Sequence, residues 1–322
     1  MENMDVIFWP LITSFLITII LMPFIIRYFR AKQLGQVTRD EGPSWHEEKS
    51  GTPTMGGVVF ILSTILAVLL VTIFDINRSL DAWLLTIVFV LYGFIGFIDD
   101  FIKLFMKRNL GLTSRQKFLA QVVIGIIFYI VLLFNGFDNQ LNLPFIGNIP
   151  LSYFYGFFAV FWLVGFSNAT NLTDGIDGLM ASTGTIAYAG YAYIAYTKAQ
   201  WGVLIFALSV IGGLLGFLIF NHKPAKIFMG DVGSLALGAG LAAMSILLNV
   251  EWTILLIGLI FVIETASVIL QVFWFKKTGK RIFKMSPIHH HFEMEGWSEW
   301  KIVGVFAGIG LLMTVLTSVI LF

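Results

Sequence analysis

WLLTIVFVLYGFIGFIDDFIK, residues 83–103, decides how the chain is read. Trp83–Ile98 carries no charge, then Asp99 and Asp100 stand side by side. Lys103, Lys107, Arg108, Arg115 and Lys117 follow. About 20 apolar residues in a helix cross the hydrocarbon core of a bilayer. An aspartate there costs roughly 2.5–3.5 kcal/mol at the centre and less towards a helix end. The pair is therefore either the charged end of a spanning helix or part of a site, and this stretch alone leaves both open.

The rest of the chain has the same character. Of 322 residues, 58% are hydrophobic and 12% charged, with a mean hydropathy of +0.88. A soluble domain has roughly 25% charged residues. The composition implies one polytopic transmembrane domain over residues 1–322. A net charge of +1 gives no pull towards nucleic acid. With no cysteine, neither disulfides nor thiolate metal sites are available. The acidic start MENMD lacks the basic region of a signal peptide, so the first apolar run reads as a retained spanning helix.

Ten apolar runs are long enough to span, at about 6–29, 55–74, 82–98, 118–135, 152–168, 178–197, 201–220, 233–249, 252–275 and 302–321. The expected fold is all-α, a bundle of ten transmembrane helices with short connections. Alternating loops place 18 of the 20 Lys and Arg on one side; Arg78 and Lys198 fall on the other. The basic side is cytoplasmic by the positive-inside rule, which leaves both termini outside. All five histidines and the loop acids Asp99, Asp100, Asp174, Asp177 and Asp231 fall on that cytoplasmic face. The longest outer loop, about 136–151, carries Pro144, Gly147 and Pro150 and has the makings of a small hairpin.

Each cytoplasmic loop has a plain and a chemical reading. KSGTPTMGG, Lys49–Gly57, is a tight turn before a helix, or a donor set (Lys49, Thr52, Thr54) for an anionic ligand. SNATNLTDGIDGL, Ser167–Leu179, offers turn and cap residues, but Asn168, Asn171, Asp174 and Asp177 exceed what one turn uses. NHKPAKIFMGDVGS, Asn221–Ser234, puts Asp231 before a helix, beside Asn221, Lys226 and Phe228. That set suits either an N-cap or a nucleotide with a metal-bound phosphate. Glu264 lies midway along the ninth run, with Ser267 and Gln271 on the same helix face. It is either a packing contact or a functional acid. This run is long enough to tilt or bend. The last loop holds His289, His290 and His291. Three neighbours stepping about 100° apart cannot form a tetrahedral zinc site by themselves. Oxygen ligands without thiolate suit Mg²⁺ or Mn²⁺, and phosphoryl transfer needs such a site with cations around it.

KSGTPTMGG, GFIDDFIK, RNLGLTSRQK, SNATNLTDGIDGL, FNHKPAKIFMGDVGS, ETASVILQV and SPIHHHFE together carry a resemblance. The chain resembles the phospho-N-acetylmuramoyl-pentapeptide transferases, a branch of the polyprenyl-phosphate N-acetylhexosamine-1-phosphate transferase superfamily. The resemblance implies a Mg²⁺-dependent enzyme of the bacterial cytoplasmic membrane. It would transfer phospho-MurNAc-pentapeptide from UDP-MurNAc-pentapeptide to undecaprenyl phosphate, giving lipid I and UMP. It also implies roles. Asp231 is the principal metal ligand, and Asp99 and Asp100 position the lipid phosphate or assist its deprotonation. Lys49, Asp174, Gly175, Asp177, Asn221, Phe228 and Gln271 form the nucleotide set, and His289, His290 and His291 serve phosphates or sugar. Thr54, Lys103, Lys117, Asn168, Asn171 and Glu264 complete the candidate substrate-binding residues.

Three other readings compete. A sister transferase using UDP-N-acetylglucosamine shares the aspartates. An ion-coupled transporter would use Glu264 near the midplane. A membrane scaffold would use the Gly304-xxx-Gly308 pattern for packing or a homodimer.

Overall fold

Among the described residues, ten helices of 16 to 30 residues lie along the apolar stretches. The computed structural model describes residues 2–32, 51–73, 80–106, 110–144 and 146–322. In chain order the elements are α1 (Glu2–Ala31), α2 (Gly57–Thr72), α3 (Leu80–Phe105) and α4 (Ser114–Phe134). A hairpin follows, β1 (Gln140–Leu143) and β2 (Gly147–Pro150), paired antiparallel with Gln140 opposite Pro150 and Leu143 opposite Gly147. Then come α5 (Phe154–Thr173), α6 (Leu179–Thr197), α7 (Trp201–Asn221) and α8 (Gly230–Leu247). The chain ends with α9 (Ile254–Ile257), α10 (Leu259–Thr278), α11 (Ile288–Met294) and α12 (Glu299–Leu321).

Among the described residues, seven helices are long and apolar enough to cross a membrane: α1, α3, α4, α7, α8, α10 and α12. The other three of the ten are shorter or more polar. α2 has 16 residues, α5 closes in SNATNLT, and α6 mixes Thr, Gly and Tyr with its alanines. The long helix expected over 252–275 is broken. A single 3-10 turn, Glu251–Thr253, leads into α9, and Gly258 then redirects the chain into α10. Gly258 has φ −95° and ψ 22°, off helical values, and a Cβ there would meet the Ile254 carbonyl at 2.7 Å.

α7 and α8 form the centre, with most of their length buried. Helices associate in lipid by close backbone approach over small residues, not by hydrophobic drive. On α7, Gly212 faces the Leu11 carbonyl of α1, where a Cβ would come to 2.1 Å, and Gly216 faces Thr18 one turn on. On α8, Gly238 lies against the Phe166 carbonyl of α5, at 2.0 Å from a hypothetical Cβ. The contact of α3 with α8 is closest at Gly96, whose Cβ would strike the Asp231 carbonyl at 2.2 Å. These notches bring the polar ends of α3, α5 and α8 together. A smaller apolar cluster of Ile176, Leu179, Ile260, Ile302 and Phe306 lies under the α5–α6 connection and joins it to α10 and α12.

Candidate active site

The centre is built from three helix ends. Asp99 and Asp100 come from the last turns of α3, and Asp231 from the first turn of α8. One oxygen of each lies within 4.8 Å of the others. Gly96 makes this possible. It sits one turn before the aspartates on the same side of α3, so the Asp231 backbone can press against it.

The two neighbours do different things, as their 100° separation predicts. Asp99 is 1% exposed and Asp100 5%, so both need partners. Asp99 accepts from Leu112 N at 2.7 Å and pairs with Lys103 Nζ at 2.5 Å and Lys117 Nζ at 3.1 Å. Asp100 accepts from Val232 N at 3.2 Å, so it caps the otherwise unpaired start of α8. Asp231 pairs with Lys117 Nζ at 2.5 Å and Lys103 Nζ at 3.5 Å, and accepts from Asn171 Nδ2 at 2.9 Å. Lys117 arrives through local chemistry. Thr113 starts α4 with a capping box closed by Gln116, which sets Lys117 in the first turn facing the acids. Gly111 lets that connection lie against Asp99, since a Cβ there would meet its carboxylate at 2.4 Å. Three carboxyl groups face two ammonium groups.

Around this centre the other candidates take several positions. Asn171 also donates to Ser234 Oγ at 2.9 Å, while Asn168 donates to Gln121 Oε1 at 2.9 Å. Asp174 is half-buried; burial first, then the charges of Asp231 and Asp177, push its carboxyl up to about 7. Gly175 is exposed, and a Cβ on it would strike His289 Nε2 at 2.1 Å. Thr54 packs its hydroxyl against Gly230, the φ +77° glycine that opens α8. Phe228 is half-buried, and its backbone pairs with Pro53 O at 2.8 Å and Gly56 N at 2.9 Å.

Other candidates are engaged in holding the loops. Asn221 is 3% exposed; its Oδ1 accepts from Gly178 N and its Nδ2 donates to Ile227 O. Gln271 pins the connection after α10, accepting from Ile282 N and Phe283 N and donating to Phe283 O. Glu264 is fully buried with His289, whose Nδ1 lies 3.1 Å from Glu264 Oε1. The three histidines separate as the helical step requires. His290 Nδ1 meets Glu293 Oε2 at 2.6 Å, and His291 Nδ1 accepts from Lys284 N at 3.2 Å. Lys49 lies outside the described residues. Ser234, Gln121 and Glu293 were not singled out from sequence. Each is three or four residues from a candidate (Asp231, Lys117 and His290), and that helical spacing is the signal that could have found them.

A helical membrane bundle with a carboxylate–lysine centre at one end is the setting of a membrane transferase. The model of Glycosyl transferase family 4 matches residues 82–249, and phospho-N-acetylmuramoyl-pentapeptide-transferase signature 1 matches residues 49–61. The protein named phospho-N-acetylmuramoyl-pentapeptide-transferase in Enterococcus faecalis is 57% identical over 316 residues, 98% of each chain. Its namesake in Enterococcus hirae is 59% identical over 310 residues, 96% of each chain. That of Listeria monocytogenes serovar 1/2a is 56% identical over 306 residues, 94% of each chain. The chain belongs to the phospho-N-acetylmuramoyl-pentapeptide-transferase family.

Proposed function

We propose that the protein transfers phospho-MurNAc-pentapeptide from UDP-MurNAc-pentapeptide to undecaprenyl phosphate, giving lipid I and UMP. The observation that carries this reading is the convergence of Asp99, Asp100 and Asp231 with Lys103 and Lys117 at one end of the bundle. The setting is the cytoplasmic face of a bacterial cytoplasmic membrane. There ten helices cross and both termini lie outside, as the Lys and Arg distribution supports. Among the described residues, a Cβ at Gly304 or Gly308 of α12 would meet nothing within 4 Å, an open small-residue face that supports a homodimer.

The donor set fits Mg²⁺. Three carboxylate oxygens lie within 4.8 Å of one another, and two of the aspartates are buried. Asp231 would be the principal ligand, with Asp99 and Asp100 beside it. When bound, the ion would offset phosphate charge as the phosphoryl group moves.

The reaction exchanges one phosphoanhydride for another. An oxygen of the lipid phosphate attacks the sugar-linked phosphorus of the UDP donor. The bond from that phosphorus to the bridging oxygen of UMP breaks, and UMP leaves with the electron pair. A phosphate monoester has lost its second proton near pH 6, so the attacking oxygen is already anionic at pH 7. Asp99 and Asp100 therefore act by positioning, and no dedicated base is needed. Lys103 and Lys117 face the charge that develops on the phosphates. Lys49, Asp174, Gly175, Asp177 and Phe228 form the nucleotide side, with the Phe228 ring available to stack on uracil. Asn221 and Gln271 serve the same side by fixing loop backbones. His290 and His291 stand towards the sugar and phosphates, and His289 with Glu264 anchors that segment.

UMP release in detergent tests this directly. Undecaprenyl phosphate with UDP-MurNAc-pentapeptide is expected to release UMP, to stop on chelation and to resume when Mg²⁺ is restored. Equal release with UDP-N-acetylglucosamine would favour the sister transferase, and no release with either would overturn the reading.

A further inference from the structure

The connection between α5 and α6, residues 174–178, is held from behind by α12. Glu299 follows the N-cap Ser298 and is 4% exposed. One carboxylate oxygen accepts from Asp177 N at 3.2 Å; the other meets Lys223 Nζ at 2.6 Å. Asp177 in turn accepts from Ala225 N at 3.0 Å, and Gly178 N donates to Asn221 Oδ1 at 3.1 Å. Glu299 thus joins two connections, α5–α6 and α7–α8, that lie 122 and 76 residues from it in sequence.

Packing alone does not hold this loop. Ile176 and Leu179 enter the small apolar cluster. Asp177 and Gly178, however, border a cleft of about 310 Å³ shared with Ser182, His222, Lys223 and Trp300. A backbone N–H given to a carboxylate is a strong and directional contact. Withdrawing that carboxylate from water is repaid only when its geometry is well defined.

We propose that Glu299 is a positioning residue for the transfer reaction. Through Asp177 N it holds the 174–178 backbone in the orientation that receives the UDP part of the donor. It acts through the loop and does not touch substrate. The inference rests on reading Asp174, Gly175 and Asp177 as nucleotide-binding residues.

The test measures KM and kcat for UDP-MurNAc-pentapeptide, with thermal unfolding, on the full chain in detergent. Glu299→Ala is expected to raise KM about tenfold, with a smaller fall in kcat. Glu299→Gln keeps an acceptor for Asp177 N and is expected to recover most of that loss. A merely structural role would lower the melting temperature and the active fraction, and so kcat, while KM stayed put. Asp174→Asn is the companion variant. If it raises KM and Glu299→Ala does not, the brace is overturned and the nucleotide reading stands. If Asp174→Asn leaves KM unchanged, the nucleotide reading falls and the brace with it. Should Glu299→Ala fail to fold, the double variant Lys223→Met/Glu299→Leu takes its place. It removes both charges of the Lys223–Glu299 pair together. The same rise in KM is expected there, and an unchanged KM would overturn the proposal.

Discussion

Asp100 and Asp99 share a helix end and have different partners. Asp100 holds the first turn of α8 through Val232 N, a bond that an asparagine carbonyl could keep. Asp99 pairs with two lysines while 1% exposed, and an asparagine there would leave Lys103 and Lys117 short of a partner. Asp99→Asn is therefore expected to lower the melting temperature more than Asp100→Asn, and the two losses of activity should be unequal. Equal, mild losses in lipid I formation would return the pair to being an ordinary charged helix end. Asp231 touches both lysines and Asn171. Asp231→Asn should cut lipid I formation by at least about 10²-fold, the scale of losing one well-placed electrostatic group. The protein should still fold, as thermal unfolding will report. Activity within a few-fold of wild type at saturating Mg²⁺ would remove Asp231 from its proposed place at the metal.

At the scale of elements, glycine placement sets how near two helices come. Gly96 lies where a Cβ would sit 2.2 Å from the Asp231 carbonyl. Gly96→Ala must push α3 and α8 apart, at a cost of about 1–3 kcal/mol for an overpacked contact. Its activity should fall further than its stability, because the displaced ends carry the carboxylates. A variant with full activity and a lowered melting temperature would separate the notch from the chemistry. At the other end of the bundle, Glu251 is fully buried and accepts from the Tyr155 hydroxyl. Burial pushes its carboxyl up from 4.5, against smaller opposing effects from Tyr155 and Lys198. The folded protein therefore keeps this proton after the unfolded chain has lost it. Its stability contribution is greatest below pH 4.5 and falls as pH rises towards the folded value. Glu251→Gln keeps an acceptor for Tyr155 and has no proton to lose. Melting temperatures measured across that range should drift in favour of the variant as pH rises; a constant difference would show that the carboxyl ionises normally.

The whole molecule gathers its chemistry at one end, and that arrangement can be read from outside. The chain has no cysteine, so single cysteines report topology cleanly. Asn142→Cys, in the hairpin, should react with an impermeant thiol reagent in intact cells, whereas Lys280→Cys should react after permeabilisation. The reverse pattern would invert the bundle. The sequence by itself determined the helical membrane architecture, because long apolar stretches of spanning length have few other fates. It also determined the shared face of Asp99, Asp100, Asp174, Asp177 and Asp231, because loop alternation and basic residues order the ends. The small hairpin and the bend before α10 were likewise legible, from Pro and Gly placement and from helix length. Tertiary structure alone decided which groups meet. Lys103 meets Asp99 one turn along α3, but whether Asp99 or Asp100 also takes Lys117 depends on how the α3–α4 connection lies against α3, set by Gly111. That Asn221, Gln271 and Glu299 brace loops depends on backbone N–H groups far away in sequence. Local spacing records helix faces one turn at a time, so partnerships across the bundle become visible once the helices are packed.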